Sequence, residues 1–174
     1  NIRKVSNANI RSILKYWEGL GYYSRAKNLH LTSKIICKNY SEEIPKEISD
    51  LKLLPGVGDY TSSIIMAVVH NKPHIAFDGN VKRVVKRFFG LNIDDSSKSL
   101  KLMKNKSNIF LSKNRHGDLA QALMELGALV CKPKNPECSK CPIKKLCSFK
   151  KTNIFFTKKR RKNNKLKYIA LCYL

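Results

Sequence analysis

Four cysteines, Cys131, Cys138, Cys141 and Cys147, stand in the spacing C-x6-C-x2-C-x5-C within seventeen residues. Thiolates this close together can cage an inorganic core, and three chemistries compete for them. Structural zinc usually takes two C-x2-C pairs separated by a longer stretch, and here only Cys138 and Cys141 form such a pair. Disulfides require an oxidising compartment, whereas the opening NIRKVSNANIRSILKYW shows no apolar signal-peptide core. An iron–sulfur cluster fits best, because Cys thiolates are its usual ligands. Pro133, Pro136 and Pro142 prevent a helix or strand from running unbroken through the segment, so its backbone is free to wrap round such a core. The other cysteines, Cys37 and Cys172, sit alone in apolar surroundings and read as inert thiols.

A second constellation is LKLLPGVGDYTSSIIMAVV, residues 51–69. Pro55-Gly56-Val57-Gly58 between two helical stretches predicts a hairpin in which both glycines can take positive φ and leave their amides uncovered. The helix that follows begins with unpaired N–H groups, and the two features together suit a phosphate. Plain helix–turn–helix packing would also use a glycine, although two glycines flanking one apolar residue is the more demanding arrangement.

The elements that must position these groups are helical nearly throughout. Ile10, Ile13, Leu14 and Trp17 mark one apolar face, with Asn9 as N-cap and Gly19 to Gly21 as the stop. A second helix is predicted over residues 24–39 with Ala26, Leu29, Ile35 and Ile36 as its stripe, and a short one starts at Pro45 and carries Ile48 and Leu51. Further helices are expected over 60–70, 79–89, 97–111 and 117–130. The predicted fold class is all-α, closed by the cysteine loop.

Charge points to the partner. The 174 residues hold 35 Lys and Arg against 12 Asp and Glu, a formal charge of +23. Such a chain attracts a polyanion with steep salt dependence. An AT-rich coding sequence would favour Lys over Arg, but it does not account for the excess of bases over acids, so nucleic acid is the favoured partner. After Cys147 no acid appears: Lys150, Lys151 and the run Lys158, Lys159, Arg160, Arg161, Lys162 make residues 148–164 a basic linker, either a solvated tether or a phosphate contact. No apolar run is long enough to span a bilayer. The chain opens on Asn1 and closes on KLKYIALCYL, which reads as the beginning of a strand, so a fragment cut at both ends is expected.

LPGVGDYTSSII resembles the helix-hairpin-helix of the DNA glycosylase superfamily, and FDGNVKRV, residues 77–84, resembles the aspartate motif of that superfamily. Cys131 to Cys147 matches the iron–sulfur loop of its endonuclease III and MutY branches. WEGLGYYSRAKNLH, residues 17–30, together with DGNVKRV, is similar to the MutY-type adenine DNA glycosylases, and the resemblance covers essentially the whole chain. It implies a glycosylase fold over 1–130, the cluster loop over 131–147, the basic linker over 148–164 and the start of a Nudix-like domain over 165–174. It also implies a [4Fe-4S] cofactor on Cys131, Cys138, Cys141 and Cys147.

Breaking an N-glycosidic bond passes through an oxocarbenium-like sugar, which a carboxylate stabilises while an acid protonates the leaving base. By resemblance Asp78 is that carboxylate; its place before Gly79 also suits a helix N-cap, and both roles can coexist. The family's acid is a glutamate on a helix expected before Asn1, so the chain alone is expected to bind DNA and cleave almost nothing. Bifunctional relatives carry a lysine two residues beyond the second hairpin glycine, where this chain has Tyr60. A phenol cannot form a Schiff base, so a monofunctional enzyme is implied, with Tyr60 either assisting Asp78 or packing as a core aromatic.

The implied DNA contacts are Pro55, Gly56, Val57 and Gly58 at the hairpin, Leu20 and Tyr22 as duplex wedges, and Lys82 and Arg83 along the backbone near Asp78. Tyr22 could equally be packing, and Lys82 and Arg83 solvated cations. The expected activity is excision of adenine from mispairs with 8-oxoguanine or guanine in double-stranded DNA, by a monomer in the bacterial cytoplasm at the nucleoid. The alternatives are a pyrimidine or thymine glycosylase of endonuclease III descent and a non-catalytic iron–sulfur DNA-binding module.

Overall fold

The computed structural model describes residues 1–94, 96–111 and 114–149. In chain order its α-helices are α1 (Ile2–Asn7), α2 (Ile10–Tyr16), α3 (Tyr23–Asn39), α4 (Ile48–Leu53), α5 (Asp59–Val68), α6 (Gly79–Phe88), α7 (Ser97–Ser107) and α8 (His116–Glu125). A 3-10 turn at Asn108–Phe110 follows α7, a π-helical turn at Leu126–Val130 continues α8, and a 3-10 turn at Cys138–Lys140 lies among the cysteines. No strand occurs among the described residues, as an all-α reading requires. The basic residues from Lys150 to Lys162, Cys172 and residues 165–174 lie outside the described residues.

Two apolar clusters hold the helices together. Ile36 of α3, Leu51 of α4, Leu54 and Met66 of α5 form the first. Ile75, Val81, Val84 and Val85 of α6, Met103 of α7 and Leu123 of α8 form the second. In α6 the apolar positions Val81, Val84, Val85 and Phe88 fall at i, i+3, i+4 and i+7, so one face enters the core. Burying each of these valines contributes on the order of 1.5 kcal/mol or more. α5 packs on α8, and α8 packs on α6, so the clusters meet along a seam.

Several predicted boundaries move. α1 was not expected: it is six residues long, capped by Asn1 through the Lys4 amide, and it is stabilised by packing on α3 rather than by a periodic stripe of its own. The helix expected from Pro45 begins only at Ile48, because Pro45 is buried in extended backbone, its carbonyl 2.9 Å from His70 Nε2, and Glu47 is still extended at φ −106°. Leu29 is exposed, whereas His30 and Ser33 are buried with Ala26 and Ile36, so the inner face of α3 is rotated and more polar than the predicted stripe. The predicted helices over 97–111 and 117–130 end early in α form and finish as the 3-10 and π turns.

Candidate DNA-binding and catalytic site

The hairpin joins α4 to α5. Val57 N–H donates to the Leu54 carbonyl at 3.1 Å, and the Thr32 hydroxyl of α3 donates to the Pro55 carbonyl at 3.1 Å. Gly56 takes φ +77°, and a Cβ there would lie 2.6 Å from the Asn28 amide nitrogen, so this position needs glycine twice over. Gly58 corrects the expectation of two positive φ values. It is extended at φ −92° and ψ −170°, it is the N-cap of α5, and nothing lies within 4 Å of where its Cβ would be. No side chain caps α5, so its first amides are left for water or an anion. Asp59 in that first turn is neutralised by Lys52, at 2.6 Å, whose hydrogen bond and charge hold the carboxyl below its ordinary value.

Asp78, second in the 77–84 motif, is the N-cap of α6, its Oδ1 accepting the Val81 N–H at 2.7 Å. Its other oxygen accepts from Asn80 Nδ2 at 3.3 Å. Asn80 Oδ1 in turn accepts from Arg83 Nη2 at 2.8 Å, and Arg83 also donates to the Gly127 carbonyl at 2.6 Å and through Nε to the Cys131 carbonyl at 2.7 Å. Arg83 thereby ties α6 to the segment entering the cysteines. Burial pulls it below its ordinary pKa, with Cys131 acting in the opposite sense. Lys82, beside it, is half-buried. Gly127 permits the close approach, since a Cβ there would stand 2.6 Å from the Asn80 Cβ. Asn80 and Gly127 were not singled out in the sequence; the position of Asn80 two residues after the aspartate was the available signal.

Tyr60 lies in the first turn of α5, 43% exposed, and its hydroxyl donates to Met124 Sδ of α8 at 3.4 Å. The structure therefore brings Tyr60 to the seam, with its hydroxyl engaged by Met124 rather than by Asp78. Leu20 and Tyr22 occupy a loop closed by Trp17 Nε1 donating to the Gly21 carbonyl at 3.0 Å, with the Arg25 guanidinium 5.4 Å over the Trp17 ring. They are 65% and 81% exposed, and Tyr22 is held in left-handed backbone at φ +46°. Tyr22 alone of the two stands in left-handed backbone, which fixes the direction in which its ring is presented.

The four cysteines line one cavity with Arg87, Val130, Pro136, Lys144 and Phe149, about 380 Å³ counted to its open mouth. Glu137, next to Cys138 in the chain, bridges Lys132 and Lys140, and these two partners hold the Glu137 carboxyl down to about 2. The Ser148 amide donates to the Phe88 carbonyl at 2.9 Å, docking the loop on the end of α6. Among the described residues no group of three or more His, Cys, Asp or Glu is arranged to hold a metal ion. The donor set nonetheless suits a larger thiolate-bound cluster: four sulfurs, no carboxylate, and a buried Arg87 Nε without a hydrogen-bond partner. A separate cavity lined by Lys52, Asp59, His74, Phe77 and Lys104, among others, contains neither Asp78 nor Tyr60.

Residues 1–108 match the family model described as HhH-GPD superfamily base excision DNA repair protein. The chain belongs to this superfamily. Among curated HhH-GPD relatives, it is 35% identical over 167 residues to the adenine DNA glycosylase of Buchnera aphidicola subsp. Baizongia pistaciae, which covers 95% of this chain and 47% of that protein. It is 36% identical to the Schizosaccharomyces pombe adenine DNA glycosylase over 90% of this chain and 33% of that protein, and 34% identical to the human one over 84% and 27%. The chain thus spans less than half the length of these relatives. Among solved HhH-GPD structures it is similar to a thermostable thymine-DNA glycosylase, with TM-score 0.72 and 28% identity over 86% of this chain and 70% of that chain. It is also similar to a trapped endonuclease III–DNA covalent intermediate, with TM-score 0.70 and 25% identity over 87% and 70%. Among the described residues no helix is long and apolar enough to cross a membrane.

Proposed function

We propose that the protein carrying this chain is a monofunctional DNA glycosylase that removes adenine mispaired with 8-oxoguanine or guanine in duplex DNA. The observation that carries the reading is Asp78, a carboxylate fixed at a helix start by the Val81 amide and the Asn80 side chain. A carboxylate held there before the substrate arrives costs no reorganisation as positive charge develops on the sugar. The choice of adenine rests on the relatives, which carry the name adenine DNA glycosylase. Tyr60 supports the monofunctional reading, because the position that would need an amine for strand cleavage holds a phenol.

DNA would be held by the uncapped amides of α5 behind Gly56 and Gly58, by Lys82, and by Leu20 and Tyr22 wedged into the duplex while the base is flipped out. Cys131, Cys138, Cys141 and Cys147 would hold a [4Fe-4S] cluster, which when bound supplies a covalent cross-link between the loop and the end of α8. A tetrahedral zinc would instead need these sulfurs drawn to within about 4 Å of one another.

The test is base release by the full gene product from a duplex with one adenine opposite 8-oxoguanine, read with and without alkali. Adenine release with strand breakage only after alkali is expected. Release of thymine or oxidised pyrimidines, or breakage without alkali, overturns the proposal.

A further inference from the structure

α6 presents two arginines one turn apart. Arg83 is engaged by the Asn80 side chain and by the carbonyls of Gly127 and Cys131, as described above. Arg87 is different: at 5% exposure it is the buried member of the Lys and Arg set among the described residues, and no Asp or Glu there pairs with it. A buried cation without a counter-charge is costly, so the site needs a negative partner.

The contacts of Arg87 show where that partner belongs. Nη1 donates to the Lys132 carbonyl at 2.6 Å and lies 3.4 Å from Cys131 Sγ, while Nη2 donates to the Pro133 carbonyl at 2.9 Å. The guanidinium sits 4.9 Å from the Phe149 ring, and the Arg87 carbonyl lies 3.7 Å from Cys147 Sγ. Nε is buried with no hydrogen-bond partner. Arg87 therefore touches the first and last of the four cysteines, lines the cavity they enclose, and keeps one N–H unused.

We infer that Arg87 is the counter-cation of the iron–sulfur cluster, donating N–H groups to its sulfurs and so setting both its retention and its reduction potential. This rests on the cluster reading proposed above. Four thiolates carry more negative charge than the iron–sulfide core offsets, so the loaded site is anionic and Arg87 is placed to balance it. Hydrogen bonds to the sulfurs and nearby charge are two of the levers that set such potentials. Removing an adjacent positive charge favours the oxidised, less negative cluster and lowers the potential.

The experiment compares wild type, Arg87→Lys and Arg87→Met, purified anaerobically, by iron and sulfide content, iron release to a chelator and midpoint potential. Arg87→Met is expected to release iron at least about tenfold faster, the loss typical when a ligand's hydrogen-bond partner is removed, and to have a more negative potential. Arg87→Lys keeps the charge without the fork and is expected to hold its potential closer to wild type while still losing iron faster. Should Arg87→Met fail to fold, 15N-arginine spectra of wild type decide the matter: one Nε–H shifted by the iron supports the inference, and none so shifted overturns it. Wild type without iron refutes the cluster reading and this inference together. Iron-loaded wild type with variants of unchanged iron release and potential refutes this inference alone.

Discussion

Asp78→Asn separates the cap made by Asp78 from the catalytic role proposed for it. As N-cap it supplies one acceptor, Oδ1 to Val81 N–H at 2.7 Å, and asparagine can supply the same oxygen. What asparagine lacks is the charge, worth about 0.3–1 kcal/mol at a helix N-terminus. Asp78→Ala loses the acceptor as well, a further cost of about 1 kcal/mol. In thermal unfolding each kcal/mol corresponds to roughly 2–4 °C for a domain of this size. Asp78→Asn should therefore melt within a few degrees of wild type, with Asp78→Ala clearly lower. Chemistry orders the variants differently. The carboxylate faces positive charge that exists mainly in the transition state, so both variants should lose excision by a similar factor, about a thousandfold, while duplex affinity changes little. The assay is single-turnover adenine release by the full gene product, paired with calorimetry and with binding to a non-cleavable duplex. Asp78→Asn excising within tenfold of wild type would refute the catalytic role and leave only the cap.

The hairpin glycines should part company in the same way. Gly56→Ala forces a side chain into φ +77° and against Asn28, and should destabilise the fold by about 1–2 kcal/mol. Gly58→Ala meets open space in extended backbone, so it should fold as wild type; a drop in duplex affinity, read across a salt series, then reports amides covered at a phosphate, and unchanged affinity would exclude the hairpin as a phosphate site. Asp94 accepts from the Ser99 hydroxyl at 2.5 Å and the Ser96 amide at 3.1 Å ahead of α7, and these bonds lower its carboxyl from 3.8 to about 2. Because the folded value is depressed, its stabilisation is present above about pH 4 and disappears as pH falls through about 2; Asp94→Asn should flatten that part of a pH–melting profile, and an identical profile would refute the assignment.

How much of this site could be read from the chain depends on how far apart its partners are. The Asp78 cap closes over three residues, so type and spacing reveal it. The cysteines span seventeen residues, and their spacing likewise places them round one cavity. The two hairpin glycines show the first limit. Identical letters two apart serve different purposes, a left-handed turn at Gly56 and an extended cap at Gly58, and composition cannot tell which freedom is being used. Leu29 shows a second, because an apolar residue at helical spacing marks a face only when the neighbouring helix lies where the pattern suggests.

Arg83 and Arg87 show the deepest limit. On a helix of a strongly basic chain they look like solvated cations, and nothing in their spacing marks Arg83 as bonded across to another segment or Arg87 as buried. Their partners are backbone carbonyls of Gly127, Cys131, Lys132 and Pro133, more than forty residues away. Every residue carries a carbonyl, so such an acceptor leaves no mark in the sequence. The sign that remains is indirect: Gly127, the residue whose missing side chain lets α6 come close enough for Arg83 to reach across. The local halves of the site, the aspartate cap and the cysteine spacing, were therefore legible one by one, while the joint between them depends on backbone groups that only the folded chain brings together.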